Sequence, residues 1–167
     1  MLRLLMIADD FTGALDTGVQ LAAHGIPTQG VVGQADLSAC SSTVLGGDTE
    51  TRHLPAAKAA KAVEELARSA VENGVGCIYK KTDSALRGNI GAELAALLKA
   101  SGARNLPFLP AFPQIGRTTK KGVHYIDGVP VNESPFGIAP FAPVRCAEVT
   151  KLIHLQTEIP AQNLCPG

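Results

Sequence analysis

The chain has no tryptophan, and aromatic residues fill only 4% of its 167 positions. Its interior must therefore be aliphatic and rich in alanine, without the large ring volumes that dominate many cores. It has no excess of either charge, since 15 Lys and Arg balance 15 Asp and Glu. That removes the electrostatic footprint of a nucleic-acid binder or of a protein held on lipid headgroups. No apolar run approaches the ~18 residues a membrane-spanning helix needs, so no membrane partner is expected. The start, Met1 to Ala8, runs straight into Asp9-Asp10 without the small-residue cleavage site of a secretory leader.

Familiar chemistry-bearing motifs are missing too. Cys40, Cys77, Cys146 and Cys165 lie far apart and form no CxxC pair, which points to reduced thiols and a cytoplasmic setting. His24, His53, His124 and His154 lack zinc-ligand spacing. There is no GxxxxGK[ST] loop, and the glycine pattern beginning at Gly74 fails the GxGxxG signature at its last position. No G-x-S-x-G nucleophile turn is present. A nucleotide site of either familiar type, a metal cluster and covalent serine catalysis are all disfavoured, and no cofactor is expected on these residues.

What remains is an apolar content of 46%, enough for one domain with a substantial core. Short apolar runs predict strands over 2–8, 28–32, 43–46, 75–79 and 104–109. Helical periodicity predicts helices over 12–24, 56–72 and 90–100, with Asn89 near the cap of the third and Glu93 in its first turn. On the first helix, Ala14, Leu15, Val19 and Ala22 form most of one face. The alternation implies an α/β fold: a mostly parallel, Rossmann-like three-layer sheet of about five strands with helices on both faces. After Pro110 the chain turns rich in proline and glycine, a loop-rich extension with a hairpin expected around Asp127-Gly128 and a last helix over 147–159. Residues 160–167 show no element and read as an unstructured tail or truncated linker.

In parallel sheets ligands gather beyond the carboxyl ends of the strands. Three such ends are loaded with charge and glycine: the segments beginning at Ala8, Lys80 and Pro110. Adjacent Asp9 and Asp10 would repel unless hydroxyls, cations or backbone donors meet them; the alternative is capping of the helix that follows. Arg52 has the fork for a carboxylate, or is a surface arginine. Of Lys80 and Lys81, strand alternation sends only one toward the site, and Lys81 beside Thr82-Asp83 is the choice. Asp83 fixes ligand hydroxyls or orients Arg87, or simply forms an internal ion pair. Gly88 and Gly91 suit close backbone approach near a helix start, where free N–H groups favour an anion. Phe112 shapes a wall, and Arg117 with Thr118 and Thr119 closes over a ligand or meets another domain. The site as a whole suits a small, anionic, hydroxylated molecule.

The motifs Ala8-Asp9-Asp10-Phe11-Thr12-Gly13-Ala14-Leu15-Asp16, Asp48-Thr49-Glu50-Thr51-Arg52 and Lys80-Lys81-Thr82-Asp83-Ser84-Ala85-Leu86-Arg87-Gly88 resemble the four-carbon acid sugar kinase family. Pro110-Ala111-Phe112-Pro113, Gly116-Arg117-Thr118-Thr119, Gly128-Val129-Pro130-Val131 and Glu133-Ser134 continue the resemblance, which spans residues 4–159. It implies a sugar-acid-binding N-terminal domain over residues 1–159, with the C-terminal nucleotide-binding domain absent. Complete members use ATP and Mg2+ to phosphorylate threonate, erythronate or 3-oxo-tetronate at O4. By this resemblance Asp9 and Asp10 are the catalytic candidates. Arg52, Lys81, Asp83, Ser84, Arg87, Gly88, Phe112 and Arg117 are the substrate-binding ones. The chain departs from the family at Thr51, where serine is usual, at Ala85 for a common Thr, at Ala139 for a usual Asp, and at Ala147 for Ser. The partners this reading allows are a sugar acid, a C-terminal kinase domain in trans and a second copy of the chain. A non-catalytic sugar-acid module and a structural remnant of a split gene are the alternatives.

Overall fold

The computed structural model describes residues 1–33 and 36–164. Strands β1 (Leu4–Ala8), β2 (Thr28–Val32), β3 (Val44–Asp48) and β4 (Cys77–Lys81) form one parallel sheet in the order β2-β3-β1-β4. Helix α1 (Phe11–Ala23) covers one face, and α2 (Ala56–Glu72) and α3 (Ile90–Ser101) cover the other. The assignment of faces follows from strand alternation. A side chain at Gly46 would run into Met6 and approach Ala14 of α1, whereas one at the adjacent Gly47 would meet Leu66 of α2.

The α2–α3 face carries the sheet's core. Leu5, Ile7 and Leu45 pack there against Val63, Ala67 and Leu97, all at most 2% exposed. The α1 face is thinner. Gly13 and Ala14 are buried, but Leu15 and Val19, expected in the apolar face, are about half exposed. The sheet presents Gly30 and Gly46 on this side, so there is little side chain for α1 to pack on. A groove of about 580 Å³ between α1 and β2–β3 is left open.

The expected fifth strand is absent: residues 104–109 pair with no strand, and the parallel sheet has four. Pro107 removes a ladder donor from the middle of this short segment, and Pro110 follows directly after it. It is anchored instead through side chains, with Leu106 touching both apolar clusters. The fourth strand lies two residues later than expected, so both lysines are inside it.

The loop-rich extension forms a second, antiparallel sheet of β5 (Arg117–Lys120), β6 (Val123–Ile126) and β7 (Val129–Pro130). Asp127 and Gly128, both at positive φ, make the tight turn of the hairpin between β6 and β7. Its core joins Ile126, Val131 and Val144 to Ile90 and Leu94 of α3 and to α4 (Val149–His154). The last helix is shorter than expected, running from Val149 to His154; beyond its end, Gln156 Oε1 accepts from Gly91 N at 2.8 Å, capping α3. Gly91 is required by this packing, since a Cβ there would strike the Ile153 carbonyl. Residues 160–164 form no helix or strand, yet Ala161 packs on the second core and Asn163 abuts Gly122. The remainder of the expected tail, 165–167, and with it Cys165, lies outside the described residues. Cys40, Cys77 and Cys146 are free thiols.

Candidate functional site

The chain leaves β1 toward one face of the sheet and β3 toward the other, so the crevice between these two strand ends is a topological switch point. Asp9 and Asp10 follow β1, and Arg52 follows β3 on a loop fixed by the Arg52 N–H bonding to Asp9 O. The loop is further held by Thr49, whose hydroxyl donates to Ala8 O at 2.7 Å and meets the Thr51 hydroxyl at 2.9 Å. Threonine at 51 therefore keeps a hydroxyl that the fold uses.

Arg52 grips Asp9 in a fork, Nε to Oδ2 at 2.8 Å and Nη2 to Oδ1 at 3.1 Å, and turns Nη1 to Asp10 Oδ2. Asp10 uses its other oxygen to accept from Gly13 N at 2.8 Å, capping α1. Both readings of Asp10, helix cap and site carboxylate, thus describe one side chain. Asp83 Oδ1 comes within 4.0 Å of Arg52 Nη2. Burial works to lower the Arg52 pKa, but the hydrogen bonds and charge of Asp9, with Asp83 and Asp10, outweigh it and raise it further.

The segment after β4 adds the next pair. Asp83 accepts from Arg87 Nε at 2.7 Å and Nη2 at 2.9 Å, and also from the Arg87 backbone. Burial pushes the Asp83 carboxyl up, yet the bonds from Arg87 and the charge of Arg52 prevail and hold it below the usual carboxylate range. The Asp83 bond raises Arg87 in turn. Carboxylates and guanidiniums alternate through Asp10, Arg52, Asp83 and Arg87.

Alternation separates the two lysines. Lys81, in register with Ala8, faces α1, where a Cβ on Gly13 would sit 3.2 Å from its Nζ and 2.8 Å from Asp10 Oδ1. Lys80 faces the other way and pairs with Glu93 Oε2 at 2.7 Å, both side chains 2% exposed. The first-turn carboxylate of α3 is thus spent on a buried ion pair. The α3 amides that were expected to be free are occupied by Gln156. Asn89 caps nothing with its side chain; it donates to Thr51 O and Leu54 O and ties the start of α3 to the Arg52 loop. Gly88, at φ +90°, lets the backbone pass within contact of Arg52.

Sequence reasoning excluded His124 only as a zinc ligand and missed Phe136. His124 is fully buried on β6; its Nε2 donates to Ser84 O at 2.8 Å, and its Nδ1 meets the Thr119 hydroxyl at 2.9 Å. With Nε2 carrying the proton, the neutral ring accepts from Thr119. Burial lowers its pKa from the ordinary 6.5. Above that value folded and unfolded chains both hold neutral imidazole. As pH falls through it, the unfolded chain takes up a proton the folded one resists, so stability declines until the lowered folded pKa is reached. Urea midpoints should fall from pH 7 to 5, and His124→Gln should flatten that part of the decline. Equal pH slopes in the two proteins would remove His124 from the account.

Phe112 stands apart from the charged chain. It is about half exposed, and its backbone pairs with Arg117 to close the turn at Pro113–Ile115. Arg117 sits over the ring of Phe136 at 5.1 Å, and Arg87 over the same ring at 5.2 Å. No signal in the sequence singles out Phe136, because its partners lie far along the chain. Ala85 is 2% exposed within the second apolar core.

Residues 4–165 match the family model for a sugar-binding N-terminal domain. The chain belongs to this family. The sugar-binding domain is 39% identical to D-threonate kinase of Salmonella typhimurium, an alignment covering 98% of this chain and 39% of the relative. It is 33% identical to D-erythronate kinase of Heliobacterium modesticaldum, over 95% of this chain and 37% of that one. A solved Bordetella bronchiseptica protein, described as a domain of unknown function with bound citrate in a domain-swapped dimer, superposes with a TM-score of 0.85. It is 36% identical, with 92% of this chain and 40% of that one covered. The chain spans about two-fifths of the length of these relatives.

Kinases of this kind imply ATP and Mg2+ in the complete enzymes. The residues described here do not fit either group. The N-terminal amides of α1 and α3 are met by Asp10 and Gln156 of the domain itself. Its site carboxylates are held by arginines, and among the described residues no cluster of three His, Cys, Asp or Glu has metal-holding geometry. Among the described residues no helix is long and apolar enough to cross a membrane.

Proposed function

We propose that the chain is the substrate-binding part of a cytoplasmic, ATP-dependent kinase that phosphorylates O4 of a four-carbon sugar acid: threonate, erythronate or 3-oxo-tetronate. The observation that carries this reading is the alternating chain of Asp10, Arg52, Asp83 and Arg87 at the switch point, with Asp9 beneath it, in a domain whose relatives are named as such kinases. A polyhydroxy acid offers hydroxyl donors to carboxylates and a carboxylate to guanidiniums, and this arrangement offers both complements.

Asp9 and Asp10 are the catalytic candidates, and the base role falls to Asp10. Asp9 has both oxygens engaged by Arg52 and is 4% exposed, whereas Asp10 is 30% exposed and can meet a hydroxyl. Phosphoryl transfer depends chiefly on alignment and charge stabilisation, so Arg52 serves by fixing both aspartates. Lys81 adds a positive charge beside Asp10. Asp83, Ser84, Arg87, Gly88 and Arg117 complete the proposed substrate-binding set, and Phe112, set apart from the charged chain, is its outermost member. The nucleotide is held by a kinase domain acting in trans or in a longer chain. The dimeric Bordetella relative supports a second copy as a further partner.

Calorimetric titration tests the reading. Threonate or erythronate should bind with Kd in the range of about 0.1–10 mM, as suits a site closed on one side. The neutral polyols threitol and erythritol should bind at least about tenfold more weakly, the loss of one charge-assisted contact. Equal binding of acid and polyol, or none of either, would end the proposal. Residues 1–167 alone should release no ADP in response to any of these acids.

A further inference from the structure

The two ends of the charged chain differ in what they offer a ligand. At one end two carboxylates, Asp9 and Asp10, share the guanidinium of Arg52, with Lys81 beside Asp10. At the other end two guanidiniums, Arg87 and Arg117, lie over one ring, and the buried carboxylate there, Asp83, is shared with Arg52. Arg117 is the less neutralised of the two. Its nearest acid, Asp127, is 3.7 Å away and 77% exposed, and its Nε is buried without a hydrogen-bond partner among the described residues.

Phe136 itself is firmly placed. Its N–H bonds to the hydroxyl of buried Ser134, which donates to Val131 O at 2.7 Å, and its carbonyl accepts from Val144 N at 3.0 Å. The ring is thus anchored to the second core while two cations use its π surface.

Resting on the function proposed above, we infer that Phe136 is a positioning residue that holds Arg87 and Arg117 as the anion-recognising end of the site. The sugar acid then lies with its carboxylate toward these arginines and its terminal hydroxyl toward Asp9 and Asp10. The placement of donors and acceptors sets this direction: Asp10, 30% exposed, can accept from a hydroxyl, whereas Arg117, with its Nε unpartnered among the described residues, can donate to a carboxylate.

The arginine side-chain Nε–Hε signals of the full chain test both parts by NMR. Without ligand, the Arg87 and Arg117 signals should show ring-current shifts that disappear in Phe136→Leu and persist in Phe136→Tyr. Their absence in the wild type would overturn the positioning role, whatever binds. On addition of threonate the same two signals should move, and threitol at equal concentration should leave them in place. Phe136→Leu should weaken threonate binding about five- to tenfold, leave threitol unchanged, and be rescued to within about twofold by Phe136→Tyr. Movement confined to Arg52, or equal weakening of acid and polyol in Phe136→Leu, would overturn the orientation. If threonate moves no signal while the ring-current shifts are present, the proposed function fails and the positioning of the arginines stands.

Discussion

Replacing Arg52 by alanine should destabilise the fold by about 3–5 kcal/mol, because the buried Asp9 carboxylate is left without the charge that compensates it. Arg52 is 10% exposed and Asp9 4%, so solvent cannot take over the guanidinium's place without opening the strand ends. Against a typical total of about 5–15 kcal/mol, the variant should be partly unfolded near room temperature. Arg52→Lys should recover only a fraction, since an ammonium has one charge but no fork to span both oxygens of Asp9. Urea unfolding followed by circular dichroism measures the difference. A midpoint for Arg52→Ala equal to that of the wild type would mean that Asp9 is not held as an ion.

The buried pair of Lys80 and Glu93 should behave asymmetrically. Glu93→Leu alone leaves an ammonium 2% exposed and uncompensated, at a cost of about 3–5 kcal/mol, and Lys80→Met alone does the same to the carboxylate. The double variant should return to within about 1 kcal/mol of the wild type or exceed it, because neither charge remains to be desolvated. The Glu93 Oε1 oxygen, buried and without a hydrogen-bond partner among the described residues, favours that outcome. A double-mutant cycle reads the coupling directly, and additive single effects would show that the two groups do not act as a pair. Sugar-acid binding should be unaffected in the double variant, since this pair lies on the sheet face away from Asp10.

Local pattern carried much of the architecture. The apolar runs at β1 and β3 and the helical stripe of α2 were legible because each is buried in the core, and β2 was legible although it is largely exposed. The period of two in β4 was enough to send Lys81, not Lys80, toward Asp10. Where the sequence misled, a distant partner decided. Residues 104–109 are apolar enough for a strand, but Pro107 within them and Pro110 just after them disfavour a ladder. The α3 start looks free for an anion until Gln156, 65 residues away, fills it. Leu15 and Val19 have helical spacing, yet the sheet beneath α1 offers glycine. At the site, the motif residues Asp9, Asp10, Arg52, Asp83 and Arg87 do converge. Phe136 was invisible because an aromatic that holds two arginines has no spacing of its own.

The ties that assemble the site also bear on the order in which the protein acquires its form. Arg52 reaches Asp9 across 43 residues, and Asn89 reaches Thr51 across 38. Between them the chain must close large loops before any of these bonds is gained, and parallel pairing of β1 with β3 and β4 makes the same demand. Local helices can flicker early, but the charge network has no nascent form. It comes into being when β4 docks beside β1 and Phe136 seats Arg87 and Arg117, so the ability to recognise a ligand should emerge in one late, cooperative event during synthesis, after Phe136 has left the ribosome.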